Sequence, residues 1–558
     1  MTAQANRQNN NNALNAKKSR LKTASAFTLP IISLAGGVMF AGAAWAGDVD
    51  PNATPYGEAV VGGSATFDRP ADNVLNVNQE SDRLLVNWDS FNIGRDALTQ
   101  FFQPGSGSIA VNRVLSQGSD PTQILGGLKS NGTVMVLDRN GVFFGKDARI
   151  DVGGIVASTG DLANPNAFID GSDNGHVQLT DFGNGSVENR GLISVAQGGL
   201  AALVAPTVAN SGIITAKLGK VELAAGNTTA TVDLYGDGLV EFEVTPQAQK
   251  AVVDNSGVID AEGGVIAMTV GGAEAVVDSV INMSGVAKVS SVTVDGGKIV
   301  LGGAGNNATT NVSGTLDASG VNGGEIAVRG NDVNVAETAS INADGGQGAD
   351  NIGDGGEAVI FADNNAVIDG DITARGGFLG GDGGFVETSG LYTLLVSDLA
   401  SVDASAAAGE AGEWLLDPQS ILITSWVTDA GAAAVAWAAG WSVVDNGTVN
   451  SALNNGSGTN VTIQTGAAST NNPKVIGSNA DAGAFANEGD ITVRANIELK
   501  SSDNATLTLT AADDITVENG ADIFHSGTGK LNVVMNAEGA SANNLENGII
   551  IRDGSDIT

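Results

Sequence analysis

Cysteine is absent from the 558 residues, which excludes disulfides, thiol nucleophiles and cysteine-ligated metal centres. Histidine is nearly absent: His176 and His525 stand far apart in the chain, and without thiols the usual zinc-ligand sets are unsupported. Aromatic residues are 4% of the chain and charged residues 16%, against roughly 25% charged in an average globular domain. Cations are the scarcer sign, 26 Lys and Arg against 62 Asp and Glu, for a net charge of −36. An acidic surface of that size repels nucleic acid and anionic membranes, so neither is expected as a partner. What the chain does have is glycine, 78 residues of it, together with 42% hydrophobic residues. That apolar content argues against disorder. Small residues, frequent turns and short β-prone runs predict an all-β solenoid instead.

The first 46 residues hold five cations (Arg7, Lys17, Lys18, Arg20, Lys22) and no acid. An apolar run from Ala26 to Ala44 follows, and Ala44-Trp45-Ala46 then precedes Gly47-Asp48. This is the order of a secretory signal peptide, with cleavage expected between Ala46 and Gly47. Pro30, Gly36, Gly37 and Gly42 argue against a membrane anchor. No other apolar run reaches the ~20 residues that span a bilayer. Removing the signal leaves 21 basic against 62 acidic residues, a net charge of −41. The lack of cysteine suits a chain that crosses a periplasm unfolded, where an early disulfide would lock structure in.

From Ala59 to Asp161 short strand-like runs alternate with Gly, Asn and Pro. Arg83-Leu84-Leu85-Val86-Asn87-Trp88 reads as a strand, as do Ser108 to Val114 and Thr133 to Leu137. Pro121 to Leu125 reads as one helical turn capped by Asp120. Asp138-Arg139-Asn140-Gly141 reads as a turn, because Asn and Gly tolerate positive φ.

Several blocks here carry a family resemblance: Val86-Asn87-Trp88-Asp89-Ser90-Phe91-Asn92-Ile93-Gly94, Phe102-Gln103-Pro104, Val111-Asn112-Arg113-Val114-Leu115, and the run from Asn131 to Gly145 that continues at Val152 to Thr159. In kind and order they resemble the haemagglutination-activity, or two-partner secretion, domain of the filamentous haemagglutinin family. One departure is visible. The family's turn is Asn-Pro-Asn-Gly, whereas this chain has Asp138-Arg139-Asn140-Gly141 and lacks the proline that presets φ.

The resemblance implies export by the Sec machinery, then passage through a dedicated outer-membrane β-barrel transporter whose periplasmic domains engage the N-terminal domain. It implies a secreted or cell-surface protein of a Gram-negative bacterium, with adhesion as the leading role. A receptor or glycan on a host or neighbouring cell would be the surface partner. Asn112, Arg113, Asn140 and Gly141 are the candidates for transporter recognition. The competing reading is that they shape turns and cap the solenoid.

Past Asp161 the chain repeats loosely. Asn189-Arg190-Gly191 returns as Asn210-Ser211-Gly212 and Asn255-Ser256-Gly257, with shorter echoes at Ser284-Gly285 and Ser313-Gly314. Those glycines step by 21, 45, 28 and 29 residues. Such spacing suits rungs of roughly twenty residues with loops of variable length. The expected fold is a right-handed parallel β-helix with an N-terminal capping secretion domain and short extra-helical hairpins. Its expected divisions are a signal peptide (1–46), the secretion domain (47–245), β-helix repeats (246–425) and further solenoid (426–558). A short helical excursion is expected over 426–445, and solenoid again at Gly489 to Val493 and Asp513 to Val517. Thr558 falls inside a repeat, as in a piece of a longer protein.

No enzyme motif appears, so no catalytic residues are assigned. Asp151, Asp233, Glu241 and Glu243 are scattered carboxylates without catalytic spacing. Gly345 to Gly353 fits the calcium nonapeptide G-G-x-G-x-D-x-U-x. Such sites need tandem copies and no second follows, so a plain loop is expected, with no metal and no cofactor. Two other readings stay open beside the adhesin. One is the stalk of a contact-dependent inhibition toxin. The other is a carbohydrate-active β-helix, which a row of carboxylates on one solenoid face would favour.

Overall fold

The computed structural model describes residues 49–558 apart from 117, 235–239, 243–250, 272–278, 305–307, 427–440, 467–488, 538–547 and 553. The signal segment and the Ala46–Gly47 cleavage site lie outside the described residues.

The chain winds as a parallel β-helix with three faces. One rung runs Leu200–Ala205, then Thr207–Asn210, then Ile213–Thr215, before Lys220–Ala225 stacks on Leu200–Ala205. The third face is a 13-stranded sheet; the first two join into one of 29 strands among the described residues. They join because Glu325–Val335 and Glu357–Ile368 run unbroken around the corner, pairing with both faces of the neighbouring rungs. Gly330 marks the bend, where the register shifts.

The recurring Asn-x-Gly is the corner between the second and third faces. Asn189 Nδ2 donates to Asn210 Oδ1 at 2.8 Å, and Asn210 Nδ2 to Asn255 Oδ1 at 2.7 Å, all fully buried. The ladder ends on Met283 Sδ at 3.3 Å. A buried amide is costly unless paired, and stacking pairs each with its copy one rung away. Gly191, Gly212, Gly257, Gly285 and Gly314 form a column beside it. A Cβ on any of the last four would lie far closer to the preceding glycine's carbonyl oxygen than van der Waals contact allows. The irregular steps in sequence are therefore single rungs. Their excess length is pushed into loops, as between Leu200–Ala205 and its successors, where the advance grows from Leu200–Lys220 to Lys298–Glu325.

The N-terminal end is closed by antiparallel strands. Ala65–Ala71 pairs with Val74–Gln79, and Ala59–Gly62 with Arg83–Trp88. Outside the helix, Asp161–Leu162, His176–Thr180, Ala230–Asp233 and Val240–Phe242 form a four-stranded antiparallel sheet. It covers the outward side of the first face, so Leu200–Ala205 is buried at every position: Ala201 and Leu203 inside the bore, Ala202 and Val204 under the outer sheet. Helix α1, Pro165–Asp170, is capped by Asn164, whose Oδ1 accepts from Ala167 N at 3.1 Å. Arg83 fastens this segment to the first rung. Its Nη1 donates to Asp173 Oδ1 at 2.7 Å and Phe168 O at 2.8 Å, and its guanidinium lies 5.2 Å from the Phe168 ring.

One local expectation is corrected. Thr122–Ile124 is a strand, not a helical turn: it pairs with Val142–Phe144, and the Asp138 carboxylate takes the Thr122 N–H. Of the helical excursion expected over 426–445, residues 427–440 lie outside the described residues; Ser442–Asp445, at its end, is a strand. A helix follows it directly. Helix α2, Asn446–Asn454, is capped by Asp445, which accepts from Thr448 N at 3.1 Å. Beyond it Ile491–Val493 stacks on Ile515–Val517 residue for residue, so the two echoing segments are successive rungs. No helix of the described residues is long and apolar enough to cross a membrane.

Candidate functional site

The four candidate recognition residues occupy one region of the second and third rungs but face different ways. Strand Ile109–Val114 pairs with Arg83–Trp88 on one side and Thr133–Leu137 on the other, and Arg113 stands opposite Leu137. Asn112 points into the bore and is fully buried. Its Oδ1 accepts from Trp88 Nε1 at 3.0 Å, and its Nδ2 donates to Met135 O at 3.1 Å and Ala110 O at 3.3 Å. Trp88 in turn packs edge-on against Phe91 and Phe67. Asn112 thus serves the interior of the folded domain. Arg113 points outward and forms an ion pair with Asp161, the first residue of the outer sheet. It ties that sheet to the solenoid as Arg83 ties α1.

Asn140 and Gly141 form the corner after Thr133–Leu137. Asn140 Nδ2 donates to Gly118 O at 3.0 Å, Ser116 Oγ at 3.3 Å and Asp120 O at 3.4 Å, holding the corner of the rung before. Gly141 has φ +120°, and a Cβ there would lie 2.6 Å from Ser186 O on the next rung. Both the conformation and the space therefore require glycine. Arg139, where the family's turn has proline, is exposed.

The residue that organises this corner is Asp138, which sequence reading placed in the turn but gave no role. It is 2% exposed. Its Oδ2 accepts from Thr122 N at 2.9 Å and Thr122 Oγ1 at 2.8 Å, and its Oδ1 from Asn140 N at 2.9 Å. Burial nonetheless pushes its carboxyl above the ordinary Asp range, with the hydrogen bonds opposing. A second network was also missed, although its Gln103, Asn131 and Gly132 fall in the resembling blocks. Gln103 Nε2 donates to buried Gln79 Oε1 at 3.0 Å. Gln103 and Asn131 exchange backbone–side-chain bonds of 2.8 and 2.9 Å. Gly132 is needed there because a Cβ would meet Ser108 O and Gln103 Oε1 at 2.5 and 2.6 Å. Polar spacing alone does not show which glutamine meets which asparagine across rungs.

Asp254, Asp369 and Asp445 are raised by burial in the same way as Asp138. A carboxyl raised in the folded state adds stability that is present below the ordinary value of ~3.9 and lost as pH rises through the folded value. Glu58, Glu262 and Glu498 are lowered by hydrogen bonds from Arg69, Lys217 and Ser526 respectively, which works in the opposite sense; they are half-buried at the surface, where solvent screening keeps the contribution small. The expected result is a thermal midpoint that falls as pH rises from about 4 through the raised folded value, with a flatter profile in Asp138→Asn; a fall no smaller in that variant would contradict this assignment.

Among the described residues, the remaining sequence candidates do not assemble. Asp151 lies on the 13-stranded sheet and Asp233 on the outer sheet, Glu241 has no described side chain, and Glu243 lies outside the described residues. His176 is exposed, 3.9 Å from Asp233, and His525 is exposed on a late rung. Gly345 to Gly353 is a loop whose Asp350 Oδ1 accepts from Ile352 N at 3.4 Å. Among the described residues, one group of carboxylates has the spacing of a cation site, Asp490, Asp513 and Asp514. There Asp490 and Asp514 already accept backbone N–H groups from the adjoining rungs.

Comparison with known proteins agrees with this architecture. Residues 52–328 match the model of the TPS secretion domain. A heme/hemopexin-binding protein of Haemophilus influenzae is 32% identical over 281 residues, covering 49% of this chain and 30% of that protein. A second Haemophilus influenzae protein of the same description is 35% identical over 136 residues, 24% of this chain and 14% of its own length. The chain thus spans under a third of the length of either relative. The crystal structure of the HMW1 secretion domain from Haemophilus influenzae superposes with a TM-score of 0.52 and 28% identity, covering 65% of this chain and all of that one.

Proposed function

This chain carries a TPS secretion domain over residues 52–328 and belongs with the exoproteins of two-partner secretion, and we propose that it is a surface or secreted protein of the filamentous haemagglutinin type. On this reading it reaches the periplasm by the Sec route. It crosses the outer membrane unfolded through a partner β-barrel and folds outside as an adhesin. The observation that carries the reading is the coincidence of the matched region with the capped, outer-sheet-bearing start of the β-helix.

The residues we assign to transporter recognition are Arg113, Asn140 and Gly141 at the shared corner, with Asn112 behind them. A stack of rungs that completes itself only outside the cell would also bias movement outward, because each rung needs its predecessor to bury its apolar face.

The test is release into the medium with and without the cognate barrel, and with Asn140→Ala and Gly141→Ala in parallel. Release is expected to need the barrel and to fall several-fold in the variants. Equal release without any barrel would sink the two-partner reading. Normal release of both variants would remove the corner from the signal.

A further inference from the structure

Several of the most exposed large apolar side chains share one corner of the solenoid, in the loops that lead from the third face back to the first. Val294 is 41% exposed, Ile352 48%, Leu379 61% and Phe378 75%. One such loop precedes each of the successive strands Val265–Gly271, Lys298–Ala304, Glu325–Val335, Glu357–Ile368 and Phe385–Gly390. The loops are laddered like the rungs below them. Val321 N donates to Val294 O at 3.0 Å, Gly346 N to Val321 O at 2.9 Å and Leu379 N to Asn351 O at 2.9 Å, and Ile352 pairs with Gly380. A Cβ at Gly263 would meet Leu218 Cδ2 and Val294 Cγ2 at 2.8 and 2.9 Å, so these two side chains close over it from the rungs on either side. Leu218, Val294, Val321, Ile352 and Leu379 therefore form one apolar row along the axis, broken at Gly263.

A second row runs beside it, one residue per rung: Asp295, Asn322, Asp354, Asp382 and Glu410. Asp295 and Asn322 directly follow Val294 and Val321, and Asp354 and Asp382 come shortly after Ile352 and Leu379. The row aligns itself. Asp295 Oδ1 accepts from Asn322 N at 3.1 Å and Asn322 Nδ2 at 2.9 Å, and Asn322 Oδ1 accepts from Asp354 N at 3.0 Å. Asp354 Oδ1 accepts from Asp382 N, and Asp382 Oδ1 from Glu410 N, both at 2.8 Å. All five residues are exposed. None of the four carboxylates is in an ion pair among the described residues; Lys298 is held by Glu325 and Arg375 by Asp344.

We propose that the paired rows are a docking surface for a cationic amphipathic helix of another protein. The helix lies along the solenoid axis, its apolar stripe on Val294, Ile352, Phe378 and Leu379 and its lysines or arginines on Asp295, Asp354 and Asp382. Single exposed apolar residues are ordinary, but a contiguous row of them on preformed loops marks an interaction surface. The charge of the second row selects the partner's sign. It repels a second copy of this acidic chain and an anionic membrane alike. The aliphatic row offers a glycan nothing to hydrogen-bond. The period selects the partner's shape. Rungs repeat at about 4.8 Å and helix turns at about 5.4 Å, so a helix slips by only about 2 Å over the four steps from Asp295 to Glu410. Same-face side chains of a strand, about 6.6 Å apart, slip by about 7 Å. These rows stand apart from the Asn112 to Gly141 corner, so the proposal goes beyond the export reading and does not depend on it.

The test is binding of a fluorescent leucine–lysine peptide in helical period, about eighteen residues and so about 27 Å long, to the purified, folded chain. The same composition in strict alternation, which forms a strand, and a leucine–glutamate helix serve as comparisons. One variant, Ile352→Ser with Phe378→Ser and Leu379→Ser, strips the apolar row. A second, Asp295→Asn with Asp354→Asn and Asp382→Asn, removes charge and keeps the aligning Oδ1 acceptors. A third, Glu337→Gln with Asp371→Asn and Asp398→Asn, removes as many exposed acids elsewhere. The leucine–lysine helix is expected to bind and to weaken with salt. It should lose at least about tenfold in affinity in each of the first two variants and keep it in the third. The comparison peptides should bind at least about tenfold more weakly. The amide variant alters no packing, so it decides the matter if the serine variant fails to fold.

Absence of binding, undiminished affinity in either row variant, or an equal loss in the third would each overturn the proposal. Equal binding of the alternating peptide would overturn it in favour of an extended partner. Two further outcomes would give the apolar row another occupant and overturn it as well. One is a dimer of the chain alone, seen by sedimentation and lost in the serine variant. The other is binding to phosphatidylcholine vesicles that the same variant abolishes. Because binding is read on purified protein, a failure of export leaves this result untouched, and the reverse.

Discussion

Gly285→Ala is expected to be among the most damaging single-atom additions in the chain. The new Cβ would enter the carbonyl oxygen of Gly257 and lie 2.7 Å from Ser256 C, both backbone atoms that cannot swing aside. Overpacking of that kind costs roughly 3 kcal/mol or more, because the rung must shift as a unit. The loss should be local, since each rung of a solenoid contacts only its neighbours. Hydrogen exchange should therefore rise through Val252–Asn255, Val280–Met283 and Thr309–Val312, and stay slow in Arg83–Trp88 and Ile109–Val114. Gly302→Ala is the control. A Cβ there meets nothing within 4 Å, so its effect should stay within about 0.5 kcal/mol. Equal losses at the two positions would mean that glycine's backbone freedom, rather than the close stacking, is what matters.

Asn112→Leu is expected to cost about 2–4 kcal/mol, most of it from Trp88 Nε1 left without an acceptor inside the bore. Trp88→Phe combined with Asn112→Leu removes both halves of that hydrogen bond and should recover a large part of the loss, read as the coupling in denaturant midpoints. The double variant also separates two roles. If Asn112 acts only in the folded interior, export of the double variant should approach normal. If the transporter reads Asn112 in the unfolded chain, export should stay low although stability has returned. A single loss that the second substitution does not relieve would show that the indole–amide bond is not what Asn112 supplies.

Much of the architecture was legible in the sequence. The Asn-x-Gly echoes predicted rungs, and they are rungs, because a buried asparagine ladder and a glycine column can only be built from one copy per turn. The blocks around Trp88, Asn112 and Asn131 to Gly145 pointed to the secretion domain that the family match places at 52–328. The helical turn at Pro121 to Leu125 misled because proline and a preceding Asp are local signals. The Asp138 carboxylate, sixteen residues away from Thr122, takes the N–H that the turn would have used. Asn112 could not be assigned a side. In Ile109–Val114 both alternating faces are buried, Ala110 and Val114 in the bore, Ile109 and Val111 under the outer sheet. Period-two alternation identifies a buried side only when the other side is wet.

The sequence by itself determined the β-solenoid and its acidic, cysteine-free character, since these follow from composition, turn chemistry and short-range periodicity, and it pointed to the secretion-type start through the family resemblance of the blocks around Trp88, Asn112 and Asn131 to Gly145. Only the tertiary structure decided which residues stand above one another: the Arg113–Asp161 tie, the Asp138 corner and the acidic row beside the apolar loop tips. The physical reason is the variable loop. Successive rungs differ in length by whatever the loops absorb, so stacking partners lie at no constant spacing, and register is settled only when each rung closes over the one before it.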